Sequence, residues 1–225
     1  MHPTIEIAEI FQGIDGEVNL FGQGCHTTFV RFAGCNLNCK YCDTAWARDK
    51  KGRLGQFPPH HLVEKVQMVG RYCPKVTITG GEPLWQRMGF DSFVNLLRDR
   101  GIRISVETNG SLEINPATSP VDCWVVDFKL PSSGEYPRMN YEAFRRLRPQ
   151  DYVKFVVGDS RDYEEMKSQI PRLRGIGCKA RFCISPIFKG MKPEAIVPQL
   201  VEQLQKDLLY DVILNVQIHK LLGLK

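Results

Sequence analysis

The chain has 225 residues, 43% hydrophobic and 24% charged, which fits one domain over residues 1–225 with a full core and excludes disorder. Its 30 basic and 25 acidic residues leave a formal charge of +5, which suits an anionic small molecule or an acidic partner and is too mild to indicate nucleic acid. No apolar run approaches the roughly 20 residues of a membrane helix. The start, Met1-His2-Pro3-Thr4-Ile5-Glu6, lacks the basic and apolar stretches of a secretory signal, so no membrane contact and a cytoplasmic location are expected.

Short β-rich runs alternate with helical patterns. In chain order they predict a strand at 27–32, a helix at 60–69, a strand at 76–79, a helix at 90–100 and strands at 102–107 and 123–128. A helix at 141–147, a strand at 152–157, a helix at 162–170, a strand at 180–184, a helix at 198–208 and a strand at 212–217 follow. Pro198 suits the first turn of the last helix. This alternation predicts an α/β fold, a partial (β/α) barrel of about six βα units with mainly parallel strands, since the chain is short for a closed eight-unit barrel of roughly 250 residues. Parallel sheets gather ligand-binding groups at the carboxyl ends of their strands. There lie Thr79-Gly80-Gly81-Glu82-Pro83, Glu107-Thr108-Asn109-Gly110, Asp127-Phe128-Lys129 and Ser185-Pro186.

Eight cysteines in a chain without a secretory signal point to metal or catalytic use rather than disulfides. Three of them, Cys35, Cys39 and Cys42, form C-x3-C-x2-C within Gly34-Cys35-Asn36-Leu37-Asn38-Cys39-Lys40-Tyr41-Cys42. Chance gives this spacing in about one such chain in a hundred. The spacing also matches one stripe of an amphipathic helix, but Gly34, Asn36 and Asn38 favour a loop. Soft thiolates suit an iron–sulfur cluster or zinc, and structural zinc wants four ligands. No fourth ligand stands out, because Cys25 and Cys73 are isolated, Cys123 lies in a strand, and Cys178 and Cys183, five residues apart, point to opposite faces of an extended segment. Core burial is expected for those five. Three thiolates on a four-iron cluster would leave one iron open to a cofactor.

With Tyr41 before the last cysteine, this motif resembles that of the radical S-adenosylmethionine superfamily. Within it the chain is similar to the 7-carboxy-7-deazaguanine synthase family from Glu6 to Lys225. The similarity is carried by Glu9-Ile10-Phe11 with Gly16-Glu17, Arg31-Phe32-Ala33-Gly34-Cys35-Asn36-Leu37, Cys42-Asp43-Thr44, the Thr79–Pro83 run and Gln217-Ile218-His219-Lys220. The resemblance implies a 4Fe-4S cluster on Cys35, Cys39 and Cys42, and reductive cleavage of S-adenosylmethionine to a 5′-deoxyadenosyl radical. It also implies ring contraction of 6-carboxy-5,6,7,8-tetrahydropterin to 7-carboxy-7-deazaguanine with loss of ammonia, on the route to queuosine, and assistance by Mg2+. A homodimer is implied as well.

Carried over position by position, the resemblance places Thr44 on Mg2+, and Tyr41, Cys42, Asp43, Gly81, Glu82, Asp127, Lys129, Ser185, Pro186, Ile187 and Phe188 beside S-adenosylmethionine. It places Ile14, Asp15, Gly16, Arg31, Thr79, His219 and the terminal Lys225 against the pterin. Each has a plainer reading: Asp43-Thr44 as a helix cap, Thr79 and Glu82 as a capping box, Asn109-Gly110 as a turn, Arg31 as a surface arginine, His219 as a structural histidine. One departure stands out. The family shows Gln-Gly-Glu-Gly where this chain has Asp15-Gly16-Glu17-Val18, and an ionised aspartate only accepts hydrogen bonds. Two other activities share the cluster motif: an activase that installs a glycyl radical on a partner protein, and a non-catalytic iron–sulfur or zinc module. The basic balance suits docking of an acidic electron donor such as a flavodoxin.

Overall fold

The computed structural model describes residues 3–49, 53–187 and 193–224. Its elements in order are β1 (Ile5–Ile14), β2 (His26–Phe32), α1 (Ala45–Arg48), β3 (Gly55–Phe57), α2 (Pro59–Val69), β4 (Lys75–Gly80), α3 (Arg87–Asp99), β5 (Arg103–Thr108) and β6 (Cys123–Phe128). They continue with α4 (Tyr141–Arg145), β7 (Tyr152–Val157), α5 (Ser160–Gly175), β8 (Arg181–Pro186), α6 (Pro193–Lys206), β9 (Ile213–Leu214) and α7 (Ile218–Leu221). Among the described residues nine strands form one open sheet in the order β3-β1-β2-β4-β5-β6-β7-β8-β9. From β2 to β9 every pairing is parallel, while β1 runs antiparallel to both β2 and β3. The α/β expectation therefore holds, with an antiparallel edge added to the parallel run. Helices α2 to α6 fill the crossovers except that from β5 to β6, which is irregular chain.

Alternation within each strand separates two faces. Val30, Phe32, Ile78, Val106, Trp124, Val126, Phe128, Val153, Phe155 and Ile184 turn outward and join the helices in the main core. The inward positions differ. Cys123, Val125, Tyr152 and Cys183 form a small apolar layer closed by Val18 and Ile213. One inward step farther along β6 and β7, about 7 Å toward their carboxyl ends, stand Asp127 and Lys154. The inside of the sheet thus turns from apolar to charged as it approaches the strand ends.

The loop between β1 and β2 fills part of this interior. Its neck is closed by Asp15 N donating to Cys25 O (2.8 Å) and Gly24 N to Asp15 O (2.8 Å). Phe21 lies under the Lys75 ammonium at 5.3 Å and the Arg103 guanidinium at 5.2 Å. Leu20 N reaches the Cys123 thiol at 3.3 Å.

Some sequence expectations are corrected here. Core burial holds for Cys123, Cys178 and Cys183, but Cys25 and Cys73 are half-exposed, because they sit in turns flanking the sheet, where their thiols meet the Phe21 and His26 carbonyls. Helix α6 begins at Pro193, leaving Pro198 inside it, since the first position, which needs no N–H, is already taken by a proline. Among the described residues no helix is long and apolar enough to cross a membrane.

Candidate active site

The carboxyl ends of the parallel strands open into a cavity of about 500 Å³, within the range of small-molecule sites. The loop after β2 forms one wall. Gly34, at φ +88°, turns the chain off the strand, and residues 35–42 then run without regular structure. The helical-stripe reading of the cysteines is thereby replaced by the loop reading. The loop is fixed by Gly34 N to Ala47 O (2.7 Å) and Lys40 N to Ser133 O (3.0 Å). Cys35, Cys39 and Cys42 all line the cavity, half-exposed and without disulfide partners. Burial pushes the Cys39 thiol up to about 11, opposed by the Lys129 ammonium. Among the described residues no three His, Cys, Asp or Glu side chains gather as they would around a single ion.

Two glycines let β4 nest against this loop. A Cβ on Gly80, itself at φ +137°, would lie 2.3 Å from the Phe32 carbonyl oxygen, and one on Gly81 would lie 2.0 Å from that of Gly34. In their absence Gly81 N donates to Phe32 O (3.0 Å) and Glu82 N to Gly34 O (2.8 Å). Gly81 lines the cavity but the Glu82 side chain does not. Its buried carboxylate accepts from Leu84 N (2.9 Å), the Thr108 hydroxyl (2.7 Å) and Asn109 N (2.7 Å), so Glu82 shapes the wall from behind rather than facing the cofactor space. No Thr79–Glu82 capping box forms, because the Thr79 hydroxyl donates to Glu107 Oε2 at 2.7 Å. Asn109 is more than a turn residue: its amide donates to Asn36 Oδ1 (2.9 Å) and to Cys35 Sγ (3.7 Å), joining β5 to the cysteine loop.

Thr44 stands at the N-cap of α1 yet makes no capping hydrogen bond. Its hydroxyl instead lies in the cavity wall, 3.8 Å from Cys42 Sγ. Tyr41 carries a buried hydroxyl without a hydrogen-bond partner among the described residues. Asp127 near the end of β6 and Lys129 just past it pair at 2.6 Å. Ser185, Pro186 and Ile187 line the far side, with the Ser185 hydroxyl donating to Asn215 O at 2.9 Å.

The opposite wall carries Ile14, Gly16, Glu17, Arg31, Thr79 and Glu107. Arg31 lies between the rings of Phe11 and Trp46, 5.9 Å from each, and 3.6 Å from Glu9. Its buried Nε has no hydrogen-bond partner among the described residues. Burial, and then the Glu17 carboxylate, push the Glu107 carboxyl up. The expectation that Asp15 meets the substrate is corrected. Its carboxylate is outside the cavity lining and is taken by the Lys75 ammonium and the Thr77 hydroxyl (2.7 Å).

The C-terminal segment closes the top. Ile218 N donates to Gly16 O (3.0 Å) and Gln23 Nε2 to Val216 O (2.7 Å). Gln217 donates to Glu17, and Lys220 to Asp43 at 2.6 Å. His219 lies so close over Gly16 that any Cβ there would strike its ring at 1.6 Å from Nδ1. The expected contacts Phe188 and Lys225 lie outside the described residues.

The model of the Radical SAM superfamily matches residues 29–116, the stretch from the cysteine loop past the glycine pair. A curated 7-carboxy-7-deazaguanine synthase of Clostridium acetobutylicum is 36% identical over 96% of this chain and 95% of its own length. That of Methanospirillum hungatei is 34% identical over 98% of this chain and 86% of its own. The chain belongs to the 7-carboxy-7-deazaguanine synthase family. A crystal structure of QueE from Escherichia coli shares the fold, with a TM-score of 0.75 at 23% identity, covering 96% of this chain and 95% of that one.

For this synthase-family chain, sequence reasoning gave no individual site role to Glu17, Lys154 or Gln217, and put Glu107 and Asn109 in a strand-end cluster without a contact of their own, whereas all five line the cavity. Lys154 did leave a signal, as a lone cation in the apolar run Tyr152-Val153-Lys154-Phe155-Val156. The others take their places from contacts across the fold.

Proposed function

We propose that the protein converts 6-carboxy-5,6,7,8-tetrahydropterin to 7-carboxy-7-deazaguanine with loss of ammonia, as a radical S-adenosylmethionine lyase. One observation carries this reading: Arg31, whose Nε is ion-paired with Glu9 at 3.6 Å but makes no hydrogen bond among the described residues, lines the same cavity as the three cysteines. A guanidinium there matches a substrate carboxylate, and the Glu17 carboxylate on the same wall can accept from the N–H edge of a pterin.

The donor set fits the groups the reaction needs. Three unpaired thiols on one loop suit a 4Fe-4S cluster with one thiolate per iron, which leaves one iron for S-adenosylmethionine. When bound, the cluster supplies the electron that breaks a carbon–sulfur bond of that cofactor. Tyr41, Cys42, Asp43, Gly81, Asp127, Lys129, Ser185, Pro186 and Ile187 would hold it, a reading supported by their lining the same cavity as the cysteines. Thr44, its hydroxyl unused by α1, is a hard donor suited to Mg2+. Ile14, Gly16, Arg31, Thr79 and His219 would hold the pterin, with Gln217 and Lys220 fastening the tail above it and keeping bulk water out. Burial lowers the His219 pKa, so its imidazole is neutral in the closed site and can donate from one nitrogen while accepting at the other. An acidic flavodoxin as reductant, a homodimer and a cytoplasmic location complete the proposal.

The test is anaerobic reconstitution with iron and sulfide, then incubation with reductant, S-adenosylmethionine, Mg2+ and candidate pterins, with mass analysis of products. About four irons per chain and 7-carboxy-7-deazaguanine are expected. Zinc without sulfide, or cofactor cleavage without any conversion of the carboxypterin, would overturn the reading. Cys39→Ala is expected to lose the cluster and 5′-deoxyadenosine formation together.

A further inference from the structure

Strand β7 brings one cation into the cavity. Parallel register sets Lys154 opposite Asp127, and the side chain, 7% exposed, turns inward above the layer of Val125, Tyr152 and Cys183. Its Nζ lies 3.1 Å from Asp127 Oδ1 and pairs with Glu17 Oε2. The other oxygen of each carboxylate is held from elsewhere: Lys129 takes Asp127 Oδ2 at 2.6 Å, and Gln217 takes Glu17 Oε1. Burial by itself would neutralise the amine, but Asp127, Glu17 and Glu107 together outweigh it and keep the ammonium protonated.

Stability alone does not account for this arrangement. A buried ion pair seldom repays its desolvation against a well-packed apolar side chain, and an apolar residue here would extend the layer beneath. What the lysine adds is direction. Glu17 belongs to the loop that faces the proposed substrate, and Asp127 to the strand end that faces the proposed cofactor. We propose that Lys154 is a positioning residue: by clamping Glu17 to Asp127 it sets where the substrate ring lies relative to S-adenosylmethionine. This rests on the carboxypterin reaction proposed above. A shift of about 1 Å between reacting groups is enough to cost roughly a hundredfold in rate, so the clamp bears on whether cofactor cleavage leads to product.

The experiment compares reconstituted wild type, Lys154→Met and Lys154→Arg for thermal unfolding, KM for the carboxypterin, and 5′-deoxyadenosine formed per product. Lys154→Met is expected to raise KM about tenfold or more and to release several 5′-deoxyadenosine molecules per product. Lys154→Arg keeps a cation and the fold, but its broad planar head cannot keep both contacts. It is expected to move the same two readouts by a smaller factor. Wild-type values in the most severe variant that folds would overturn the assignment. Failure of the wild-type enzyme to convert the carboxypterin would instead strike the proposed reaction, leaving the two failures distinguishable.

Discussion

At Gly81 a single methyl group would meet the Gly34 carbonyl oxygen at 2.0 Å, and both partners are backbone that cannot step aside. Gly81→Ala is therefore expected to cost about 2–3 kcal/mol and to lower iron retention after reconstitution, read by denaturant titration and iron analysis. His219 gives a second prediction at this scale. Burial, opposed by the Glu17 carboxylate, holds its imidazole below the ordinary 6.5. The docked tail therefore binds fewer protons than the undocked one, so its stabilisation is present above pH 6.5 and is lost as the pH falls through the lower folded value. Protection of the amides of residues 216–222, taken relative to their intrinsic exchange rates at each pH, is expected to fall on acidification through that window and to stay constant with pH in His219→Phe. Residues with a local signature were legible: the cysteines by their spacing, the glycine pair by its place after a strand. Asn109 was read as a turn because its bonds to Asn36 and Cys35 span 73 and 74 residues, and such contacts leave no local trace.

Among elements, the buried pair between the β1–β2 loop and the start of β4 invites a charge-balance experiment. Lys75 is fully buried and Asp15 is 3% exposed. Lys75→Met leaves that carboxylate uncompensated and is expected to destabilise by about 3–5 kcal/mol, whereas Asp15→Asn combined with Lys75→Met should recover most of the loss. Urea unfolding of the wild type, Lys75→Met and the double variant checks this. Equal losses in the single and double variants would show that the pair does not share its energy. The same pair gives Asp15 a buried cation as its partner, at the position where the family resemblance implied glutamine. The parallel strands and their helices were legible because β-branched runs and amphipathic stripes repeat with clear periods. Strand β1 alternates buried Ile5 and Ile7 with half-buried Glu6, yet its antiparallel pairing depends on a distant partner. Strand β3 is three residues long, too short to carry a period.

For the whole molecule, the formal charge of +5 bears on encounter with a reductant. Reduction by an acidic flavodoxin is expected to slow roughly tenfold as ionic strength rises from about 0.01 to about 0.5 M. A rate indifferent to salt would count against an electrostatic encounter. The fold class was legible because the alternation of elements fixes a parallel sheet, and a parallel sheet fixes which end holds the site. The closed top of the cavity was not, because it depends on residues 215–217 returning to residues 17 and 18. Glu17 and Gln217 lie 200 residues apart, and Val18 N and Asn215 Oδ1 lie 197 apart. Contacts that span so much chain close only after the sheet between them has formed, so the roof of the cavity is expected to be among the last parts of the molecule to fold.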